Sequence, residues 1–480
     1  MANYRSPGVY VEEISLLPPS VAEVESAVPA FVGYTEMATN LVADDLLKIP
    51  TPINSLGDFV QFFGGPESED PTNIDIDVDE LMTGTTTTGY NVTLTLDKPN
   101  MSKHILYHSI KHFFANGGGK CYIVSIGKLT DSIAKADIDE GIDLVANEDT
   151  PTMIVVPEAI HLSQAEFDST NQKMINQAAQ MKDRFAIMDT HITTVPKAPS
   201  SVVNDSKTAI DNIPADGAIR RFGAVYYPHL LTAYGYEFDF DTITLGAHTV
   251  NGAAPTADDK SGAILGDLKN TASAMYNTIK AEYGKYNIIL PPSAAMAGIY
   301  SRVDRERGVW KAPANVGVMD VIKPMVSVAR AEQDVLNVNS DTGKSVNAIL
   351  SVPGFGTVVM GARTLDGNDN EWKYVNVRRF FSVVEESIKK STSWAIFEPN
   401  TASTWVKVKA MIENYLYLQW RDGALAGATP EEAYQVRIGL GSTMNSVDIL
   451  EGRMIVEIGM AVARPAEFII LRFEQMMQTS

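Results

Sequence analysis

The chain has 480 residues, 45% of them hydrophobic, with 59 acidic against 39 basic side chains and a formal net charge of -20. That length provides for two or three domains of ordinary size, each with a packed core. The charge repels phosphate backbones and anionic lipid unless a basic patch overrides it, and the pairs Arg220-Arg221, Arg378-Arg379 and Lys389-Lys390 read as solvated faces instead.

Residues 1–25 show no helical period, contain Pro7, Pro18 and Pro19, and carry the alternating run Val9-Tyr10-Val11 after a Pro7-Gly8 turn signal. They are expected to form an extended arm, and at ~3.3 Å per residue such an arm reaches ~70–80 Å, well beyond its own domain. The opening MANYRSPGVYVEE meets proline and two glutamates before any apolar stretch, so it does not read as a signal peptide. No later run approaches the ~18 apolar residues of a membrane span. The single cysteine, Cys121, is expected in the core, rules out an intramolecular disulfide, and fits folding in the reducing cytoplasm.

From Ala27, AVPAFVGYT reads as a buried strand and SLGDFVQFFGG (55–65) as a short helix ending on glycine. The acidic and threonine-rich stretch 66–101, with the alternating run NVTLTL, reads as a surface insertion. Ser102 is placed to cap a helix over KHILYHSIKHFFANGGG, followed by the strand CYIVSIG. Strand and helix signals then alternate through PTMIVVP, AEFDSTNQKMINQAAQMKD, RFAIMD and RFGAVYYP, which predicts an α/β fold with a mixed, largely parallel sheet. Polar stretches at 196–218 and 238–259 are expected to leave this sheet as outer insertions, with a core domain spanning 26–379. From about Arg378 longer amphipathic helices appear, then the strand signals MIVEIGMAV and AEFIILRFE, which predicts a C-terminal α+β domain over 380–480 ending in a second arm.

His104, His108 and His112 recur every four residues and would share one helix side, with Leu106, Ile110, Phe113 and Phe114 opposite. No Cys, Asp or Glu joins them on that helix, so a polar face or subunit contact is the expectation and a metal site the alternative. Asp189 follows the apolar run RFAIM, at the place where α/β enzymes hold acids, but it reads as a loop aspartate capping the next turn. No GxSxG, HExxH or CxxC occurs. DTGKS (341–345) has Val338 where a phosphate loop needs its first glycine, and GFGTVVMGA (354–362) lacks the third glycine of a dinucleotide fingerprint, so these read as a turn and a strand after a turn. No catalytic, metal or cofactor residue is assigned.

Five tracts together carry a family signature. SPGVYVEE at the N-terminus, PPSAAMAGIYSRVDRERGVWKAPAN (291–315), EWKYVNVRRFFSVVEESIKKSTSWAIFEPN (371–400), TWVKVKAMIENYLYLQWRDGALAG (404–427) and ARPAEFIILRFEQ (463–475) resemble, in order and spacing, contractile tail sheath proteins. The resemblance implies a structural subunit that is not an enzyme, stacked as hexameric rings around an inner tube in a metastable extended state. Contraction would drive that tube through a target membrane. The implied partners are further copies of the chain, the inner tube protein, and baseplate and terminator proteins, with no nucleic acid and no direct membrane insertion. Phage, bacteriocin, extracellular injection system and type VI secretion sheath all stay open, as does the final location of the particle. An α/β hydrolase with an oligomerising tail and a tube or baseplate protein are the competing classes.

Within that frame the terminal runs Val9, Tyr10, Val11 and Phe468, Ile469, Ile470, Leu471 are expected to add strands to neighbouring subunits, since an edge strand gains backbone hydrogen bonds from a further chain. The resemblance also points to a short helix facing the inner tube. STMNSVDILEGR (442–453) is the expected segment, with Asp448, Glu451 and Arg453 making charged contacts.

Overall fold

A computed structural model describes residues 21–191, 213–214 and 216–467. The runs Val9–Val11 and Phe468–Leu471 and most of the polar stretch 196–218 lie outside the described residues. The chain divides into two compact units, Glu25–Arg379 and a second made by residues from Phe380 onward together with residues up to Val24.

The larger unit is built on a nine-stranded sheet. Its inner strands, Asn347–Val352, Gly223–Tyr227, Phe185–Met188, Met153–Val155, Pro29–Thr35 and Cys121–Lys128, lie side by side in that order and run parallel. Thr51–Ile53 closes one edge antiparallel, and Gly356–Val359 with Val316–Gly317 closes the other. Parallel strands covered on both faces read as continuous apolar runs, and PAFVGYT is buried at every position. Successive residues nonetheless serve different layers: Ala30, Val32 and Tyr34 join one buried cluster while Phe31 joins the other.

Helices Lys135–Val145 and Gln164–Met181 contribute to the first layer, and Leu56–Phe63, Leu106–Ala115 and Ser293–Arg307 to the second. Local chemistry sets their ends. Ser55 accepts from Asp58 N–H at 3.1 Å to start Leu56–Phe63. Glu166 reaches back to the N–H and hydroxyl of Ser163 to start Gln164–Met181. Helices Leu106–Ala115 and Ser293–Arg307 approach so closely at Gly298 that a Cβ there would lie 2.4 Å from the Phe113 carbonyl oxygen. Only glycine admits that crossing.

The stretch 66–101 is not a separate excursion from 238–259. Strands Ile74–Thr83, Thr86–Leu96 and His248–Val250 form one three-stranded sheet. Helices Leu265–Thr271 and Ser273–Tyr283 cover it, enclosing Ile76, Val78, Leu94, Ile243, Leu268 and Met275 in a core of their own. The alternation IDIDVD explains the register, with Ile74, Ile76 and Val78 inward, Asp75 and Asp77 exposed and Asp79 half-buried. Deleting 70–98 alone should therefore strand the apolar faces of both helices and give an aggregating protein. Deleting 70–98 together with 238–284 should restore a soluble, cooperatively unfolding chain, because Gly235 and Asn287 are cross-strand partners that a short linker can join. Equal solubility of the two deletants in sedimentation would show that the segments do not fold as one module.

The second unit contains helix Ala402–Arg421, the continuation of helix Val375–Ser391, and a two-stranded antiparallel sheet of Tyr434–Ile438 and Val456–Met460. Residues 21–24 lie against these helices: Val24 N–H donates to Ser387 Oγ at 3.1 Å, Ala22 N–H to Ser391 Oγ at 3.1 Å, and Gln419 Nε2 to Glu23 Oε2 at 3.0 Å.

Candidate functional site: an open strand edge over an apolar groove

In the two-stranded sheet, Val456–Met460 pairs with Tyr434–Ile438 on one side, and among the described residues no strand pairs with its other edge. Its side chains alternate, Val456, Ile458 and Met460 half-buried and Glu457 and Gly459 exposed. The half-buried set lines a groove of about 1000 Å³, floored by Phe381, Val384, Ile388, Val408 and Ile412 from the two helices. Ile396 and Phe397 stand at its wall. An open edge beside an apolar groove can take up an extended chain: backbone groups pair along the edge while alternate side chains enter the groove.

The short helix Ser446–Leu450 lies in the same unit. Asn445 caps it by accepting from Val447 and Asp448 N–H, and Asp448 returns a bond to Asn445 N–H at 2.9 Å. Arg453 pairs with Asp448 at 2.8 Å and with Glu451 at 2.6 Å, so the three charges predicted to act outward hold one another across the helix end. Exposed beside them are Val447 and Leu450, at 53% and 85%.

Several sequence readings need correction in the larger unit. The helix begins at Leu106 rather than after Ser102, so His104 precedes it; Ser102 Oγ caps only the local turn by accepting from His104 N–H at 3.1 Å. His108 and His112 do not form a polar face, since both are buried. The His108 ring stacks 6.4 Å from Tyr234, and His112 Nε2–H donates to the Met319 carbonyl at 3.0 Å. Burial pushes both imidazoles down to about 4. Leu230–Gly235 and the Met319 loop cover that side of the helix, which its own periodicity could not reveal.

Asp189 does not cap the next turn. It accepts from Ser293 N–H at 2.8 Å, at the start of helix Ser293–Arg307, and burial pushes its carboxyl up to about 7. Arg378 and Arg379 are likewise buried rather than solvated. Arg379 forms a bidentate pair with Asp304 at 2.6 and 3.0 Å and lies over the Tyr300 ring, while Arg378 lies over Trp372 and Phe222. DTGKS is a turn whose Asn339 Oδ1 accepts from Asp341 and Thr342 N–H, with Lys344 donating to the Ile213 carbonyl. GFGTVVMGA holds the second strand of a hairpin, Gly356–Val359. Cys121 is buried.

Residues 367–476 match the phage tail sheath C-terminal domain family. Over the full fold, the chain is similar to the PVC sheath complex of an extracellular contractile injection system in its contracted state. Identity is 30%, with 99% of each chain covered and a TM-score of 0.61. The chain belongs to the contractile tail sheath family. A second sheath structure, the helical sheath of the anti-feeding prophage in its contracted state, is 28% identical over 98% of this chain and 99% of its own, with a TM-score of 0.62. The tail sheath protein of Enterobacteria phage T4 is 26% identical over 214 residues, 43% of this chain but only 30% of the phage protein. Within the family match fall the groove, the open strand edge and the helix Ser446–Leu450.

Proposed function

We propose that this chain is the structural subunit of a contractile sheath, assembling with further copies of itself as hexameric rings stacked around an inner tube. The observation that carries this reading is the correspondence, over 99% of both chains, with a sheath protein of a contractile injection system. The open edge of Val456–Met460 supplies the joint: arms from neighbouring subunits add strands there and bury their apolar side chains in the groove. Such a joint is tight along each strand and flexible between strands, so rings rotate and widen during contraction without separating. Contraction energy resides in the lattice, as extended-state contacts less favourable than those of the contracted state.

In this reading the helix Ser446–Leu450 faces the inner tube. Arg453, Asp448 and Glu451 present a paired, salt-sensitive surface that grips weakly enough to release. The three-stranded module, with its exposed Asp75 and Asp77, lies on the outside of the tube. Negative-stain microscopy of the overexpressed protein should show long hollow tubes. Compact particles at every concentration would reject the sheath reading in favour of an enzyme or a ring-forming baseplate component.

A further inference from the structure

The chain leaves the strand Pro29–Thr35 by way of helix Leu106–Ala115 on one face of the large sheet, and leaves its neighbour Met153–Val155 by way of helix Gln164–Met181 on the other. The carboxyl ends of these two strands are therefore the switch point at which open α/β sheets hold ligands, often an anion against a helix N-terminus. Here the position is filled from within. Glu158, which follows Met153–Val155, is fully buried. Its Oε1 accepts from Leu106 N–H at 3.2 Å, in the first turn of the helix, and its Oε2 from Tyr34 N–H at 2.8 Å, near the end of the strand. A Cβ at Gly33 would lie 2.7 Å from Oε2, so a larger residue there would displace the carboxylate. His104 faces the same place. Its side chain is only 7% exposed, and its Nδ1, 3.8 Å from Glu158 Oε1, has no hydrogen-bond partner among the described residues. Nε2–H donates to the Asp131 carbonyl at 3.0 Å, so a proton on Nδ1 makes the ring a cation facing the carboxylate. Asp189 repeats the pattern one strand further on, accepting from Ser293 N–H at the start of Ser293–Arg307. Two helices of one layer thus have their positive ends met by carboxylates of the chain itself.

We propose that Glu158 is a resident anion: its carboxylate fills an oxyanion site at the switch point of the sheet, and a chain without that side chain takes up a small monocarboxylate in its place. The proposal does not depend on how copies of the chain assemble. It explains how a sheet with the topology of a ligand-binding fold is closed to carboxylate and phosphate ligands, because the donors that would hold them are already engaged. The chemistry also selects the probe. Glu158→Ala removes Cγ, Cδ and both oxygens, and those four atoms together make an acetate ion. Leu106 N–H, Tyr34 N–H and the His104 ring then remain around the vacated space, and buried donors without an acceptor are costly. Acetate supplies the acceptors with charge. Acetamide, of nearly the same shape, supplies one carbonyl oxygen and no charge, so it separates an anion site from a space that any filler satisfies.

Scanning fluorimetry of the unassembled full-length chain at neutral pH tests this. Glu158→Ala should unfold about 5 °C or more below the wild type in sodium chloride. Replacing chloride by acetate at equal ionic strength, up to about 200 mM, should recover at least half of that difference, with the logarithmic dose dependence of a ligand that binds only the folded chain. Acetamide should recover little. The wild type and Glu158→Gln, whose side chains keep the space filled, should not distinguish acetate from chloride. Hydrogen exchange read by mass spectrometry should show the peptides containing Tyr34 and Leu106 losing protection in Glu158→Ala and regaining it in acetate. Equal recovery by acetamide overturns the anion, and an equal gain by the wild type in acetate overturns the site. An unchanged unfolding temperature of Glu158→Ala, or one that acetate does not raise, overturns the proposal as a whole. Should Glu158→Ala fail to fold in chloride, its refolding yield in acetate against chloride replaces the unfolding temperature, and equal yields overturn the proposal.

Discussion

Removing residues 2–15 is expected to leave a folded, soluble subunit that no longer builds contractile tubes. The segment holds Tyr4, Pro7, Val9, Tyr10 and Val11, too few apolar residues for a core of its own, and an isolated strand is unstable in water. Among the described residues, Ala22, Glu23 and Val24 tie the N-terminal side to its unit, and the deletion leaves them in place. Thermal unfolding should therefore match the full chain within about 2 °C, as for a change away from any packed core. Tube formation should fail because the strand Val456–Met460 keeps an unpaired edge and its groove stays open to water. Size-exclusion chromatography and microscopy decide the matter together. A truncated subunit that assembles and contracts like the full chain would make the arm dispensable.

Acidification from pH 7 to 5 should lower the unfolding temperature of the unassembled subunit steeply. His108, His112 and His229 are buried, and desolvation pushes each down to about 4 from the ordinary 6.5. The Nδ1 atoms of His108 and His112 have no hydrogen-bond partner, so a proton arriving there meets no acceptor. Lys111 on the same helix further disfavours charge on His108, whereas Asp320 only partly offsets burial at His112. Above pH 6.5 neither folded nor unfolded chain protonates these rings. As pH falls from 6.5 toward 4 the unfolded chain takes up protons that the folded chain refuses, so stability present at pH 7 is lost through that window. The limiting slope is about 1.4 kcal/mol per pH unit for each histidine.

Raised groups act in the opposite sense, Asp189, His104, Glu69 and Asp366 among them. Asp189, raised to about 7 by burial, holds a proton in the fold that the unfolded chain releases above 3.8, so it adds stability as pH falls from 7. His104 is also raised: burial opposes its charge, but hydrogen bonding and attraction to Glu158 outweigh it. The three depressed histidines set the expected sign between pH 7 and 5. Differential scanning fluorimetry at pH 7, 6 and 5 checks the sign, and His112→Gln, which retains a donor for the Met319 carbonyl, should flatten the dependence. An unfolding temperature constant from pH 7 to 5 would show that these rings are not held neutral by burial.

The sequence by itself determined the strands of the parallel sheet, because strands buried on both faces are nearly continuous apolar runs, and PAFVGYT, CYIVSIG and FAIM could be little else. It also carried the family, through tracts such as ERGVWKAPAN whose order and spacing survive without knowledge of their contacts. Tertiary structure alone decided which charged and polar residues are inside. The side of His108 and His112 is covered by residues more than a hundred positions along the chain, and Arg379 is buried because Asp304 and Tyr300 receive it. The joining of 66–101 with 238–283 into one module has the same origin. Periodicity reports how a segment divides its faces, but which distant segment covers a face depends on long-range packing that no local window contains. The groove shows this most plainly: its lining comes from two helices, a loop and a strand spread over 381–460, and no local pattern in the sequence brings them together.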